Sequence, residues 1–367
     1  MGVVNLSAEE ARSIILARHG LTQGARYADP ASAMRALIAV QTQYPASLAP
    51  ALAARAEKAT ARSIDRALTK EKIFLKGWSL RQTLHTALAE DHMLVLGAMS
   101  ARLAAGHEKW MGSRGIGREK LDELHAQIME ALTERPLGRK ELHERVPFYK
   151  GVFMVGWGLD AMGLSVEGKL ILSRQAAAKT EFARLDQWAP HVERCPLSEE
   201  EALKELIRRY FASYGPATLS DFRYWTGHGA SRTSAAFNSV REELTEVTVE
   251  GKKGEHYIYG AYEKSARPAV RLLPKFDPLM MGRRDKSLFL PDNLRERVFR
   301  KAGQVEAVVL AEGQVRATWR TVRRGKTLEF VIEPFGRMKK SWLAALPREA
   351  LRAAKSLGFG EVTVTTT

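Results

Sequence analysis

Cysteine occurs once in this 367-residue chain, at Cys195. A single thiol excludes an internal disulfide framework, a four-thiolate iron–sulfur cluster and a zinc ribbon. No apolar run approaches the roughly 20 residues that a membrane span requires. The opening Met1-Gly2-Val3-Val4-Asn5 lacks the basic and apolar regions of a signal peptide. The nine histidines contain no His-Glu-x-x-His arrangement, and His85, His92 and His107 are too scattered to suggest a metal site. These absences lead us to expect a cytoplasmic protein with no membrane association, metal or cofactor. Acidic residues are also in deficit, 42 against 57 Lys+Arg, for a net charge of +15 and a pI near 9.9. So basic a chain favours polyanionic partners, of which nucleic acid is the commonest.

Two short motifs fail on context. Gly163-Leu164-Ser165-Val166-Glu167-Gly168-Lys169 has phosphate-loop spacing, but Leu170 stands where Ser or Thr would hold magnesium. A strand is expected to follow where a helix should, so the stretch reads as a hairpin turn. Gly325-Lys326-Thr327 ends like the same motif, yet Arg320 occupies its first glycine position.

The chain is too long for one typical core. Its hydrophobic periodicity suggests three cycles of helices followed by a two-stranded hairpin, recurring about every 80 residues. In the first, Ser7 and Glu10 form a capping box, and helices are expected around 31–39, 48–56 and 63–70. Strands at 73–78 and 83–88 then make a wing. The second follows Gly112-Ser113-Arg114-Gly115-Ile116-Gly117, with helices near 121–132, 137–142 and 152–162 and a hairpin at 164–166 and 170–172. The third opens with Ser198-Glu199-Glu200-Glu201, continues through Thr218–Phe222 and a recognition helix at 234–244, and ends in strands at 246–250 and 256–259. From Pro268 onward strands dominate, before a final helix near 341–357. The expected fold is α+β: winged-helix (helix-turn-helix) units at 1–110, 111–196 and 197–266, then an antiparallel β-sheet or barrel at 267–367.

Within the first cycle, Val40-Gln41-Thr42-Gln43-Tyr44-Pro45 follows an amphipathic helix bearing Met34, Leu37 and Ile38. Proline disfavours helical geometry at Tyr44, placing both glutamines in the last helical turn or just past it. Three further phrases follow in order: Leu80-Arg81-Gln82-Thr83-Leu84-His85, Leu272-Leu273-Pro274-Lys275-Phe276-Asp277, and Gly313-Gln314-Val315-Arg316-Ala317-Thr318-Trp319-Arg320. Together they resemble the AlkZ-type bacterial DNA glycosylases, over nearly the whole chain. That family comprises tandem winged-helix proteins that excise N7-alkylated guanines and unhook interstrand crosslinks, sometimes for self-resistance. The resemblance implies that Gln41 and Gln43 are the catalytic pair, although the residue between them is usually apolar and here is Thr42. Some relatives carry Gln-x-Asp and act on a different range of lesions. Arg81, Thr83 and His85 match a family phrase, with DNA contact and support of the wing both open. Arg323, Arg324 and Lys326 form a basic hairpin tip, either a probe for phosphates or a groove, or a solvated turn.

Amides suit such a substrate. Glutamine cannot accept a proton at neutral pH, so it is a poor general base. An N7-alkylguanine, however, carries a positive charge and departs neutral without being protonated. What remains is to position water and stabilise an oxocarbenium-like sugar, which two amide oxygens can do through hydrogen bonds and dipoles. The reading is therefore a monofunctional glycosylase without lyase activity, acting as a monomer on damaged double-stranded DNA. The alternative is a non-enzymatic winged-helix regulator, expected to dimerise on paired half-sites.

Overall fold

The computed structural model describes residues 4–24, 26–149, 156–174, 181–264 and 266–367. Contacts divide the chain into two units, Met1–Asp65 with Ile207–Thr367, and Arg66–Leu206. The secondary structure is α+β, with several separate sheets.

In the discontinuous unit, Ser7 caps helix Ala8–Arg18 as its sequence requires. The Glu10 amide donates to the Ser7 hydroxyl at 3.1 Å, and the Glu10 carboxylate accepts from the Ser7 amide at 2.8 Å. Thr218 and Asp221 make the same box for helix Leu219–Thr226, which is followed by helix Ala230–Val240. Strands Thr245–Val249 and His256–Ile258 pair antiparallel near the expected positions. An unforeseen strand, Val4–Leu6, lies parallel to Thr245–Val249.

The C-terminal sheet has the order β1 (Arg271–Leu273), β2 (Ala307–Ala311), β3 (Gln314–Arg324), β4 (Thr327–Pro334) and β5 (Glu361–Thr366). Neighbours from β1 to β4 are antiparallel, but β5 runs parallel to β4. The expected antiparallel sheet or barrel is thus corrected to a mixed sheet whose strand order leaves β1 and β5 as edges. The physical reason is the intervening helix Lys340–Ser356: a helical crossover returns the chain in the direction it left. That helix packs Leu346, Ala350 and Ala354 with Leu272, Val309, Trp319 and Phe330 of the sheet.

The second unit, taken by itself, contains the antiparallel hairpin Phe74–Trp78 and Leu84–Leu88, followed by helices Ala89–Gly112 and Arg118–Ala131. A further sheet joins Leu137–Gly138, Glu181–Arg184 and Leu170–Arg174. The expected helix at 152–162 begins outside the described residues. The expected strand at 164–166 is instead part of helix Met162–Val166, whose five residues are all buried. A short, wholly buried run fits a helical turn as well as a strand. The phosphate-loop look-alike therefore runs helix, turn at Gly168 (φ 69°), then strand, the reverse of the order phosphate binding requires. Among the described residues, no helix is long and apolar enough to cross a membrane.

This unit buries several histidines. Desolvation lowers His85 to about 3, with help from Arg81, and lowers His92 and His125 to about 4 each. Their pKa values in the unfolded chain are near 6.5. The unfolded state therefore binds more protons between those limits, and stability is lost as pH falls below about 6.5. At pH 5 each costs on the order of 2 kcal/mol, so melting between pH 7 and pH 5 should drop steeply. A flat profile over that range would overturn the assignment of these imidazoles as buried and neutral.

Candidate active site

The glutamine pair lies beyond its helix. Asp29 caps helix Pro30–Leu37, accepting from the Ser32 amide at 2.8 Å, and the helix stops two residues before the expected end. It stops at Ile38, which has φ 64° and ψ −55°. For a β-branched residue this is a genuine outlier, costing of order 1–3 kcal/mol. The surroundings hold it: the Tyr214 hydroxyl donates to the Leu37 carbonyl at 3.0 Å, and Ile38 itself is 1% exposed. Tyr214 stacks on Tyr210 and meets His19 edge-on, with ring centroids 5.0 and 4.9 Å away. Burial, then the guanidiniums of Arg55 and Arg283, holds His19 well below its usual range, so the imidazole is neutral.

Beyond this bend the chain is extended. Ala39–Gln41 is a buried strand, Thr42 is wholly buried, and Gln43 is exposed. The roughly 200° separation that a helix would impose on residues two apart therefore does not apply. Gln41, 6% exposed, holds its amide where water is scarce, whereas Gln43 meets solvent. Tyr44 follows at 50% exposure, then the turn Pro45–Ser47 and the buried helix Leu48–Ala53.

Two elements packed on this strand are joined by an ion pair that sequence reasoning missed. Helix Leu48–Ala53 and the short helix Pro278–Met281 both contact it. Arg55 and Asp277, each with a side chain 0% exposed, bind in a two-pronged geometry at 2.8 and 2.6 Å. Arg55 also donates to the Ala51 carbonyl, while Asp277 accepts from the Leu279 amide to cap the short helix. Thus the Asp in Leu-Leu-Pro-Lys-Phe-Asp anchors structure beside the glutamines, and Trp319 donates its indole N–H to the Leu273 carbonyl at 2.9 Å. The legible signals were an arginine in an alanine-rich helix and an aspartate before Pro278.

The other expected residues fall in two places. Arg81 and Gln82, both at positive φ (54° and 58°), lie in the connection between Trp78 and Leu84 of the Phe74–Leu88 hairpin, within the turn Leu80–Gln82. The Thr83 hydroxyl donates to the Leu80 carbonyl. His85 is buried, its Nδ1 3.0 Å from the Thr83 carbonyl, so Nδ1 carries the proton of a neutral ring. Arg323, Arg324 and Lys326 are exposed at the tip of the β3–β4 hairpin, which Gly325 turns at φ 62°. There Arg324 pairs with Glu329 at 3.2 Å, and Arg323 donates to the Gly325 carbonyl.

Comparison with known proteins gives consistent results. A family profile described as "DNA glycosylase AlkZ-like" matches residues 34–356. A protein of Streptomyces sahachiroi named "Interstrand DNA cross-link repair glycosylase" is 27% identical over 305 residues, covering 79% of this chain and 81% of its own. The solved structure of Streptomyces sahachiroi DNA glycosylase AlkZ superposes with a TM-score of 0.83 at 23% identity. That match spans 99% of this chain and all of the other.

Proposed function

Since the chain belongs to the AlkZ-like family of DNA glycosylases, we propose that it hydrolyses the N-glycosidic bond of cationic N7-alkylguanines in double-stranded DNA, including bulky adducts and interstrand crosslinks. The crosslink range is carried over from the name of the Streptomyces sahachiroi relative. The observation that carries the reading is the pair of amides at the end of one strand, Gln41 sheltered and Gln43 exposed. Gln41 orients the attacking water and presents its carbonyl dipole to the developing oxocarbenium sugar. Gln43 completes the water's hydrogen bonds from the rim. The leaving purine needs no acid because its positive charge is discharged as the bond breaks.

The chain is organised as three winged-helix units, at 1–110, 111–196 and 197–266, followed by the sheet domain at 267–367. Hairpins Phe74–Leu88 and Thr245–Ile258 support the arrangement. DNA contacts are assigned to Arg81, Thr83 and the exposed tip Arg323, Arg324 and Lys326. His85, buried and neutral, shapes the hairpin. The protein works as a monomer in the cytoplasm, on the nucleoid, without a cofactor or lyase step.

The test is a duplex carrying one N7-methylguanine. Free base should be released, and the strand should remain intact until alkali cleaves the abasic site. Release of no base, with tight binding of a particular undamaged sequence, would sink the enzymatic reading.

Tyr44 sharpens the substrate choice. Its ring stands exposed beside Gln43, and the face of an aromatic ring attracts a cation. Stacking of Tyr44 on the alkylated purine is worth about 1–3 kcal/mol on the scale of base–aromatic contacts. Tyr44→Ala should therefore slow excision about 10-fold while Tyr44→Phe retains it. Equal rates for both variants would remove the ring from the site.

A further inference from the structure

A cleft of about 620 Å³ lies in the discontinuous unit beside helix Lys340–Ser356, lined in part by Arg26, Arg271, Arg348 and Arg352. Glu349, with a side chain 2% exposed, faces all four guanidiniums. Arg26 Nη2 reaches both carboxylate oxygens, at 3.0 and 3.2 Å, and Arg352 Nη1 reaches one at 2.8 Å. Arg271 and Arg348 approach within 3.7 and 3.6 Å. Glu57 and Glu312 also line the cleft, but Glu57 is 4.0 Å from Arg26, and Glu312 is engaged by Lys339 at 2.6 Å.

One carboxylate offers about four lone-pair sites, whereas each guanidinium carries five N–H donors. The cluster is consequently oversupplied with donors and with positive charge. Arg26 Nη1 and Arg271 Nε are both buried without a hydrogen-bond partner. Buried polar atoms are ordinarily satisfied, and an unmet guanidinium N–H calls for an acceptor. Holding the C-terminal helix would need one arginine on Glu349; three more repel one another unless an anion offsets them. Burial has already drawn Arg271 down to about 10, which still leaves it charged at neutral pH. Arg348 and Arg352 have side chains 74% and 27% exposed, so the charge is accessible from solvent. Planar guanidiniums that converge with spare donors match the oxygens of a phosphate.

We propose that this arginine cleft is a phosphate-binding site, and that the phosphate it takes is one of the DNA backbone. The choice of source rests on the chain's being a DNA glycosylase; the site itself rests on its geometry. Its action is independent of damage, fixing the register of the duplex instead of reading a base.

The variant Arg348→Ala/Arg352→Ala tests it. Alanine suits a helix interior, and Arg26 and Arg271 remain to pair Glu349, so melting should stay close to wild type. Affinity for an undamaged duplex should fall about 10-fold at low salt, with the slope of log affinity against log salt reduced by roughly one to two. A duplex bearing N7-methylguanine should lose the same factor. In a second arm, inorganic phosphate should raise the melting temperature of wild type and leave that of the double variant unmoved. Stabilisation by phosphate with unchanged duplex binding would keep the site and reassign its source to free phosphate. No change in either arm would overturn the proposal. Base release from lesion DNA, tested separately, fails or succeeds independently of both arms.

Discussion

Replacing Gln41 with alanine is expected to slow release of N7-methylguanine by about 10²–10³-fold, the cost of losing one oriented dipole from a pre-organised site. The amide sits at the end of a buried strand at 6% exposure, where electrostatic interactions are less screened than in water. On the proposed mechanism it is aligned before the sugar becomes cationic, and no reorganisation is needed at that moment. Gln43 is exposed, so Gln43→Ala should cost less, about 10-fold to 10²-fold. Both variants should bind undamaged duplex as wild type does, because neither amide supplies charge to phosphates. Single-turnover release of free base, with duplex affinity measured in parallel, checks the pair. Wild-type rates in the double variant would remove the glutamines from the chemistry.

The second large effect concerns stability. Asp277→Ala should destabilise the discontinuous unit by about 3–5 kcal/mol, since it leaves the Arg55 guanidinium buried without its partner. It also removes the acceptor for the Leu279 amide and so uncaps Pro278–Met281, one of the elements packed on the glutamine strand. Melting should fall by on the order of 10 °C, and excision should decline with it. The double variant Arg55→Met/Asp277→Leu should recover most of the loss, because apolar replacement of a whole buried pair is often neutral. Loss of less than about 1 kcal/mol in Asp277→Ala would show that the pair does not anchor this region.

What the sequence revealed about this protein depended on distance along the chain. Ser7 with Glu10, Thr218 ahead of Asp221, and the 74–88 hairpin are local arrangements, written in neighbouring residues. The parallel partners Val4–Leu6 and β5 were missed because a parallel pair leaves no turn signal between its members. Arg55 and Asp277 stand 222 residues apart, and nothing in either neighbourhood announces the other. Ile38 defeated the helix boundary for a different reason: propensity assigns a β-branched residue to negative φ, and Tyr214 on the Leu37 carbonyl overrides it. The choice of the glutamines as the proposed site rests on resemblance and on the chemistry of a cationic leaving group. Their placement on a strand end was not legible. Family membership decides between the two functions left open by composition, since charge and wings alone fit a regulator equally well.

The discontinuity of the first unit has a temporal consequence. Residues up to Asp65 leave the ribosome early, yet Asp277, Tyr214 and the strand Thr245–Val249 that complete their packing are encoded far downstream. At ordinary synthesis rates of about 5–20 residues per second, Arg55 waits roughly 10–40 s for Asp277 to appear. During that interval Val4–Leu6 has no strand beside it, and the apolar face of helix Ala8–Arg18 is uncovered. Residues 66–206, contiguous in sequence, can fold in the meantime. The glutamine strand is thus among the first segments made, and a prematurely terminated chain carries both amides but neither Asp277 nor Tyr214.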